Sequence, residues 1–295
     1  MNRVRVAAAQ YRIDFFSGWA DFERKLGAEV EAGAATGAQL LVFPEYASME
    51  LASLFGESVY ASLPAQLSAM QTCLADYLAL YQDLARRHRL HILAGSYPVA
   101  EGGNYFNRAY LIGPGGETAY QDKLVMTRFE HEHWGITPGN EIKVFHTALG
   151  RIGVSICYDS EFPLIARAQA EAGADIVLAP SCTESESGYY RVRIGSQARA
   201  LENQCHVVQA VTVGQAQWSE AVDVNVGAAG IYTPVDLGFP ANGILAIGER
   251  ERPGWVAAEI DVHRARTVRK CGQTLNFRDW PQQAVAAKPA VLVEL

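Results

Sequence analysis

RIGVSICYDSEFP, residues 151–163, is the stretch that decides the fold. Its first half is an apolar run that predicts a buried strand, and the run ends at Cys157, where polar residues and Pro163 indicate a turn. A helical pattern over Leu164–Ala172 follows. Strand, turn and helix in this order predict an α/β protein that carries Cys157 at the exit of a strand.

Cys157 is a candidate nucleophile because of this position. A thiol attacks only as the thiolate, and the positive end of a helix dipole lowers the pKa of a nearby thiol. The sequence therefore predicts a lowered pKa for Cys157. The alternative is that Cys157 is one more small buried hydrophobic residue, as most free cysteines are.

Strand-like and helix-like segments alternate on both sides of this stretch. Predicted strands cover residues 4–10, 40–43, 91–95, 107–112, 144–147, 151–156, 176–179, 207–213, 228–232, 243–247 and 255–260, and predicted helices cover 19–35, 63–89, 164–172 and 189–204. Because four substantial helices cannot cover both faces of one such sheet, two sheets packed together with helices outside are expected. No linker, low-complexity tract or repeat marks a boundary, so one domain over residues 1–295 is predicted.

Charge and composition exclude several classes of protein. The net charge of −7 and the pI near 5.5 argue against a nucleic-acid partner, and the basic residues at 264, 266, 269 and 270 are interpreted as a solvated surface. The sequence has no uninterrupted apolar run of about 18 residues, so no membrane span is predicted. The five cysteines are an odd number without a C-x-x-C pair, which argues against a disulfide framework or zinc site and favours a reducing cytoplasm.

Three further segments present a charged residue next to an apolar run or a turn. Glu45 follows the apolar run at 40–44, where partial desolvation would raise its pKa towards a value useful for proton transfer. Lys123 follows a predicted hairpin turn at 113–116, and Glu132 precedes a turn at 137–139. The alternatives are a solvated loop glutamate and a surface lysine. His131 and its neighbour at 133 have no third ligand in a matching context, so no metal site is predicted.

Together these residues supply the groups that acyl transfer requires. A thiol can act as nucleophile, one carboxylate as base, an ammonium as oxyanion stabiliser and a second carboxylate as an orienting group. The sequence therefore predicts a hydrolase or transferase with a cysteine nucleophile.

The same segments resemble the signatures of the nitrilase superfamily of carbon–nitrogen hydrolases. VFPE at 42–45, the Asp122–Lys123 segment and ICYDSEFP at 156–163 occur in the family's order. AAAQ at 7–10 is similar to the family's first strand, and RALEN at 199–203 to the helix that follows the active-site strands. The resemblance covers about residues 4–262 and leaves a tail at 263–295.

This resemblance implies an αββα sandwich and a Glu-Lys-Cys triad made of Glu45, Lys123 and Cys157. It implies that Glu132 is the second glutamate that some members add, with neighbouring Glu130 as the competing choice. The oxyanion would be held by Lys123 and the backbone N–H of Tyr158. No cofactor and no metal is implied.

The residues after the nucleophile favour amide hydrolysis. Tyr158-Asp159 resembles the amidase and omega-amidase branches, whereas nitrilases usually place Trp-Glu there. The expected reaction releases ammonia and a carboxylic acid from a small amide through a thioester. Nitrile hydrolysis, carbamoyl amide hydrolysis and acyl transfer remain alternatives. An inactive scaffold and a thiol redox protein are remote alternatives. A redox role is disfavoured because Cys182, the nearest cysteine, starts a different loop.

Loops that follow the strands of an α/β protein commonly border the pocket. The predicted pocket walls are His131, Trp134, Glu184, Tyr189, Tyr190 and Arg191. Arg191 or Arg193 could pair with a substrate carboxylate, or both could simply lie at the start of a helix.

The resemblance also implies a homodimer or a larger homo-oligomer. The helix at 161–172 and the tail at 281–295, which ends in apolar residues, are the candidate contacts. The alternative for the tail is an added edge strand within its own subunit.

Overall fold

The computed structural model describes residues 3–293, and this part of the chain forms thirteen strands and eight α-helices. The strands are β1 (Arg3–Arg12), β2 (Leu40–Val42), β3 (His91–Glu101), β4 (Asn104–Ile112), β5 (Thr118–Asp122), β6 (Val144–Thr147), β7 (Gly150–Val154), β8 (Ile176–Ser181), β9 (His206–Gln215), β10 (Val224–Asn225), β11 (Gly230–Tyr232), β12 (Ile244–Ile247) and β13 (Gly254–Asp261). The helices are α1 (Trp19–Ala35), α2 (Glu57–Tyr60), α3 (Leu63–Met70), α4 (Leu74–His88), α5 (Pro163–Glu171), α6 (Glu186–Asn203), α7 (Val262–Cys271) and α8 (Asn276–Asp279). Short 3-10 helices cover Ala47–Leu54, Gln71–Cys73, Cys157–Glu161 and Trp280–Ala287, and a π-helical turn covers Phe129–Trp134.

The strands hydrogen-bond in the order β5-β4-β3-β2-β1-β9-β8-β7-β6. β1 is parallel to β2 over Val6–Ala8 and parallel to β9 only over Gln10–Arg12, while β13 pairs antiparallel along the rest of β1. β1 thus joins two halves, one around β2 to β5 and the other around β6 to β9.

The buried side chains form three cores that define four layers. An outer core packs α1 and α4 against the first half, through residues such as Phe22, Leu26 and Tyr77. A central core contains β-branched and small residues from both halves, among them Val42 and Ile176. A smaller core packs α6 on the second half. The prediction of an αββα sandwich is confirmed.

The predicted long helix at 63–89 is instead two helices, α3 and α4. The Tyr97 hydroxyl donates to the Met70 carbonyl, and the Gln71 amide donates to the carbonyls of Leu67 and Pro98. These bonds occupy backbone carbonyls at the break and fix a 3-10 turn between the two helices.

The basic residues near 264–270 lie on α7, where they are largely exposed as predicted but also form tertiary bonds that the prediction did not include. Arg266 makes a bidentate ion pair with buried Asp175 at 2.7 and 2.6 Å. Arg269 donates to the carbonyls of Asn203 and Ala174. These bonds attach α7 to the second half of the sheet, while the side chains of Arg264, Arg266 and Lys270 stay exposed.

The tail does not add an edge strand over residues 281–293. A 3-10 helix ends at Ala287, and the residues after it have no regular structure. Val291, Leu292 and Val293 are exposed. Across residues 3–293, none of the helices is both long and apolar enough to cross a membrane.

Candidate active site

Glu45, Lys123 and Cys157 meet in one buried place, although they come from distant parts of the chain. Glu45 lies three residues after β2, Lys123 directly after β5, and Cys157 three residues after β7. At most 4% of each residue is exposed. The sequence expectation that these three residues share a site therefore agrees with their position in the structure.

A close backbone approach fixes the turn that presents Glu45. Gly95 of β3 has a φ of +74°, and a Cβ there would lie 2.2 Å from the Pro44 carbonyl oxygen. Tyr46 adopts a left-handed conformation and donates its N–H to Ser96 Oγ at 3.0 Å. Only glycine at position 95 lets β3 approach closely enough for this arrangement.

Lys123 lies between two carboxylates. Its Nζ donates to Glu45 Oε1 at 2.8 Å and to Glu130 Oε2 at 2.6 Å. Asn107 Nδ2 also bridges the two glutamates, at 2.9 and 3.0 Å. We call Glu45, Lys123, Glu130 and Asn107 the buried cluster.

The second glutamate of the cluster is Glu130, so the expectation for Glu132 is wrong. The Glu132 side chain is 43% exposed and forms a bidentate pair with Arg128 at 2.9 Å. Residues 129–134 form a helical turn, and side chains two positions apart on such a turn point in roughly opposite directions. Glu130, the competing choice, points inward and also accepts from Tyr46 Oη at 2.8 Å and from Thr127 N and Oγ1 at 2.9 Å.

Cys157 begins a short 3-10 helix in a left-handed conformation, with a φ of 48°. Its Sγ lies 3.7 Å from the Cys182 carbonyl oxygen. The Cys182 N–H donates to Glu45 Oε2 at 3.0 Å, so the backbone of Cys182 contacts both the thiol and the carboxylate. The other oxygen of Glu45 is the one bound to Lys123.

The pKa of Cys157 is raised well above its usual value, and the prediction of a lowered pKa is wrong. Burial is the main cause, and the charge of Glu45 adds to it, while Lys123 opposes both. Desolvation of the thiolate thus outweighs the dipole of one short 3-10 turn. In the resting site the proton stays on sulfur.

The pKa of Glu45 is raised, as the sequence predicted. Burial raises it, the charge of Lys123 opposes, and the nearby charge of Glu130 raises it further. Burial alone would raise the pKa of Glu130, but Lys123 lowers it below the usual range. Burial alone would lower the pKa of Lys123, but the two carboxylates hold it well above its usual value. The site contains an ionised glutamate, an ammonium and a carboxylate that is easily protonated.

Asp159 is a site residue that sequence reasoning treated only as a marker of the amidase branch. Its buried carboxylate accepts the backbone N–H groups of Leu124, Val125 and Ile156 at 2.8–3.2 Å. It therefore joins the segment after Lys123 to the turn that carries Cys157. Burial raises its pKa to about 7 against these bonds and Lys123. An aspartate three residues after the start of a turn is a capping signal that could have indicated this role.

A cavity of about 430 Å³ opens onto Cys157, Lys123 and Glu45. Of the predicted pocket walls, Trp134, Glu184 and Arg191 line it, together with Tyr158. His131, Tyr189 and Tyr190 do not: Tyr189 is fully buried in the protein, and the other two are exposed elsewhere. Arg193, the other candidate for a substrate carboxylate, lies outside the lining and near the Tyr189 hydroxyl.

Several lining residues were not found from the sequence. They are Tyr46, Thr127, Arg128, Phe129, Glu161, Cys182, Thr183, Glu220, Ala221, Val222, Asp223 and Val224 among others. Glu220 and Asp223 lie between β9 and β10, on a loop with no motif of its own. Only the tertiary pairing of β9 with its neighbours brings this loop to the cavity.

Comparison with known proteins identifies the relationship. The family model for carbon–nitrogen hydrolases matches residues 5–270. A probable hydrolase, YhcX, from Bacillus subtilis is 36% identical over 94% of this chain and 53% of its own length, so the chain spans about half of that relative. A deaminated glutathione amidase from Synechocystis is 29% identical over 84% of this chain and 89% of its own length.

Solved structures show the same fold. Saccharomyces cerevisiae Nit3, a member of branch 10 of the nitrilase superfamily, has a TM-score of 0.73 and 19% identity, with 91% of this chain and 93% of that chain covered. A variant of the amidase from Nesterenkonia sp. AN1, with the acetamide moiety of fluoroacetamide on its active-site cysteine, has a TM-score of 0.69 and 24% identity, covering 90% and 94%. The protein belongs to the carbon–nitrogen hydrolase family, within the nitrilase superfamily.

Proposed function

We propose that this protein hydrolyses the carbon–nitrogen bond of a small amide through a thioester on Cys157. The observation that carries the proposal is the position of Glu45: one of its oxygens binds Lys123, and the other accepts the N–H of Cys182, whose carbonyl oxygen lies 3.7 Å from Cys157 Sγ. A base, a cation and a thiol in one buried cavity are the groups that acyl transfer needs.

The first half-reaction forms the thioester. As Cys157 Sγ attacks the amide carbon, Glu45 accepts the thiol proton, so no free thiolate has to be stable in the resting site. The raised pKa of Glu45 makes it a stronger base than a solvated carboxylate, which favours this transfer. When the carbon–nitrogen bond breaks, Glu45 gives that proton to the leaving nitrogen, and ammonia departs.

The second half-reaction uses the same groups with water. Glu45 takes a proton from water as the oxygen attacks the thioester carbon, and it returns the proton to sulfur as the carboxylic acid leaves. The same carboxylate thus acts first as base and then as acid in each half-reaction. No metal ion or organic cofactor takes part in this scheme.

Lys123 and the backbone N–H of Tyr158 are proposed to hold the oxyanion. The ammonium remains charged because two carboxylates hold its pKa high. One donor of this kind is commonly worth about 2.7–4 kcal/mol of transition-state stabilisation. Glu130 is proposed to orient Lys123, the role that the sequence gave to Glu132.

The similar proteins favour amides over nitriles. The Synechocystis relative is a deaminated glutathione amidase, and the Nesterenkonia amidase carries a fluoroacetamide-derived group on its cysteine. Nitrile hydrolysis, carbamoyl amide hydrolysis and acyl transfer use the same groups and remain alternatives. One observation supports the redox alternative: Cys182 lines the same cavity as Cys157.

Intact-mass measurement after brief mixing with an activated amide tests the proposal. We expect one acyl adduct that is absent in Cys157→Ala and retained in Cys182→Ser, the matched control. Added hydroxylamine should convert the adduct to a hydroxamate. Normal amide turnover by Cys157→Ala would contradict the mechanism.

We also propose that the chain pairs with a second copy of itself. Leu164, Ile194 and Leu201 are exposed on the helices α5 and α6, which pack on one another, and we call this surface the α5–α6 face. The exposed apolar residues 291–293 of the tail are the other candidate contact. Light scattering at micromolar concentration should give twice the mass of one chain, and a monomer would contradict the pairing.

A further inference from the structure

The cavity wall outside the buried cluster carries an excess of negative charge. Its charged residues are four carboxylates and two guanidinium groups: Glu161, Glu184, Glu220 and Asp223 against Arg128 and Arg191. Both guanidinium groups are already paired with carboxylates, Arg128 with Glu132 and Arg191 with Glu161 at 3.6 Å.

Three carboxylates remain without a basic partner in the described part of the chain: Glu184, Glu220 and Asp223. We call them the acidic rim. Within residues 3–293, the Asp223 carboxylate accepts one hydrogen bond, from the N–H of its neighbour Val224 at 2.8 Å. Glu184 and Glu220 are exposed. A wall that leaves three carboxylates unpaired beside the catalytic groups repels an anionic ligand and attracts a cation.

The acidic rim is held in a fixed position relative to the nucleophile. Glu184 is two residues beyond Cys182, whose N–H binds Glu45. Thr183 exchanges hydrogen bonds with the backbone of Val226 at 2.7 and 2.8 Å, which ties this segment to the strand after Asp223. The loop with Glu220 is closed by a bond from the Ala216 N–H to the Asp223 carbonyl oxygen at 2.8 Å.

A separate observation points to an occupant of the same cavity. Trp134 lines it and is 4% exposed, yet its indole N–H has no acceptor among residues 3–293. An unpaired buried donor costs about 1–3 kcal/mol, so a ligand that offers an oxygen there would bind with a gain. The cavity is therefore lined by a tryptophan with an unpaired N–H, by Cys157 and by three carboxylates.

We propose that the substrate is a primary amide whose acyl chain carries a cationic group, an ammonium or guanidinium, that contacts the acidic rim. This inference rests on the proposed amidase function and names its substrate class. It replaces the expectation that Arg191 or Arg193 binds a substrate carboxylate, since Arg191 is engaged by Glu161 and Arg193 lies outside the cavity.

Three amides of equal chain length test the proposal, ending in an ammonium, a methyl group and a carboxylate. We expect kcat/KM for the ammonium amide to be at least about 10-fold higher than kcat/KM for the methyl amide, because one ion pair of about 1.4 kcal/mol gives a factor of this size. The difference from the carboxylate amide should be larger still. The preference should fall as salt concentration rises.

Variants assign the preference to the acidic rim. The triple variant combines Glu184→Gln, Glu220→Gln and Asp223→Asn. Its kcat/KM for the ammonium amide should fall about 10-fold or more, while its kcat/KM for the methyl amide should change less than about 3-fold. The single variant Glu184→Gln should give an intermediate result. Glu23→Gln removes a charge from an exposed position on α1 outside the cavity and should leave all three rates unchanged.

The outcomes separate this inference from the proposed function. Hydrolysis of the methyl amide through a Cys157 adduct, without preference for the ammonium amide, overturns the inference and leaves the amidase function standing. A preference for the carboxylate amide overturns it as well. Absence of turnover and of any Cys157 adduct with all three amides overturns the proposed function itself.

Discussion

At the scale of single residues, the two glutamates that bind Lys123 differ in their proton affinity. Glu130 accepts five hydrogen bonds, and its pKa is lowered, whereas Glu45 remains above its usual range. Glu130 thus keeps a permanent negative charge next to the ammonium, and Glu45 is left free to exchange a proton. The division of roles follows from the number of donors around each carboxylate.

Glu130 and Glu132 form a matched pair for mutation. We expect Glu130→Gln to reduce kcat about 100-fold or more, because Lys123 loses the charge that orients it within the buried cluster. Glu132→Gln removes only an exposed pair with Arg128, and its kcat should stay within about 2-fold of the parent. Steady-state kinetics checks both variants, and circular dichroism checks that they fold.

A result in which Glu132→Gln loses activity and Glu130→Gln keeps it would contradict the assignment of Glu130. The conservative variant Glu130→Asp should recover part of the lost kcat only if the charge, rather than the packing, is what matters.

The pH dependence of kcat/KM should report the raised pKa of Glu45. Glu45 accepts a proton only when ionised, so activity should fall as the pH decreases through its raised pKa, above the usual carboxyl range. Because the charge of Glu130 contributes to that pKa, the residual activity of Glu130→Gln should have its acid limb at lower pH. Rate profiles of both proteins check this, and a limb that shifts to higher pH would contradict it.

The sequence could predict Glu45, Lys123 and Cys157 because each follows a segment whose pattern is local. It could not separate Glu130 from Glu132, since the choice depends on a helical turn over 129–134 that no cap or period announces. Asp159 was visible in the sequence, but its three backbone partners come from two segments more than thirty residues apart. Long-range contacts of this kind carry no local signal.

At the scale of elements, the site depends on how closely α6 packs against the turn of Cys157. Gly195 of α6 lies beside that turn, and a Cβ at this position would be 2.8 Å from the Ser160 carbonyl oxygen. Arg199 of the same helix donates to this carbonyl at 3.0 Å. The helix therefore positions the turn that carries Cys157 by direct contact with its backbone.

Two helical glycines should respond to alanine in opposite directions. Gly27→Ala in α1 meets nothing within 4 Å and should raise the free energy of unfolding by about 0.5–1 kcal/mol, because alanine has the higher helix propensity. Gly195→Ala should lower it by about 1–3 kcal/mol, since the Cβ overlaps the Ser160 backbone. Urea unfolding of both variants measures the difference.

Activity provides the second readout for the same pair. Gly195→Ala should also reduce kcat, because the turn that carries Cys157 must move away from α6, while Gly27→Ala should leave kcat unchanged. Equal stabilisation by both substitutions would contradict the close contact.

Most strands and three of the four predicted helices followed from hydrophobic periodicity, and most of their bounds differ by only a few residues from the prediction. The break between α3 and α4 did not follow from periodicity, because hydrogen bonds from the side chains of Gln71 and Tyr97 produce it. α7 was interpreted as a basic surface for the same reason: its ion pair with Asp175 is a tertiary contact that the sequence does not display.

At the scale of the whole molecule, the two halves of the sheet supply different parts of the site. Glu45, Lys123 and Glu130 belong to the half around β2 to β5, and Cys157 and Cys182 follow strands of the other half. The bond between Glu45 and the Cys182 N–H crosses from one half to the other. The arrangement of Glu45, Lys123 and Cys157 therefore requires both halves of the sheet.

Charge placed on the apolar surfaces should identify the contact of the proposed dimer. Leu164→Lys combined with Ile194→Lys on the α5–α6 face should shift the mass in solution to that of one chain, because a buried interface excludes two unpaired ammonium groups. Val291→Lys with Leu292→Lys, in the tail, is the comparison variant. A parent dimer that neither pair of substitutions dissociates would contradict both surfaces.

A ligand that touches Lys123 and Cys157 at once would act as a bridge between the two β-layers. Such a ligand binds only the complete sandwich, and its binding energy opposes unfolding of the entire chain by RT ln(1 + [L]/Kd), about 2.7 kcal/mol at a hundred times Kd. Thermal-shift screening of amide collections would therefore detect occupants of the cavity without any assay of turnover.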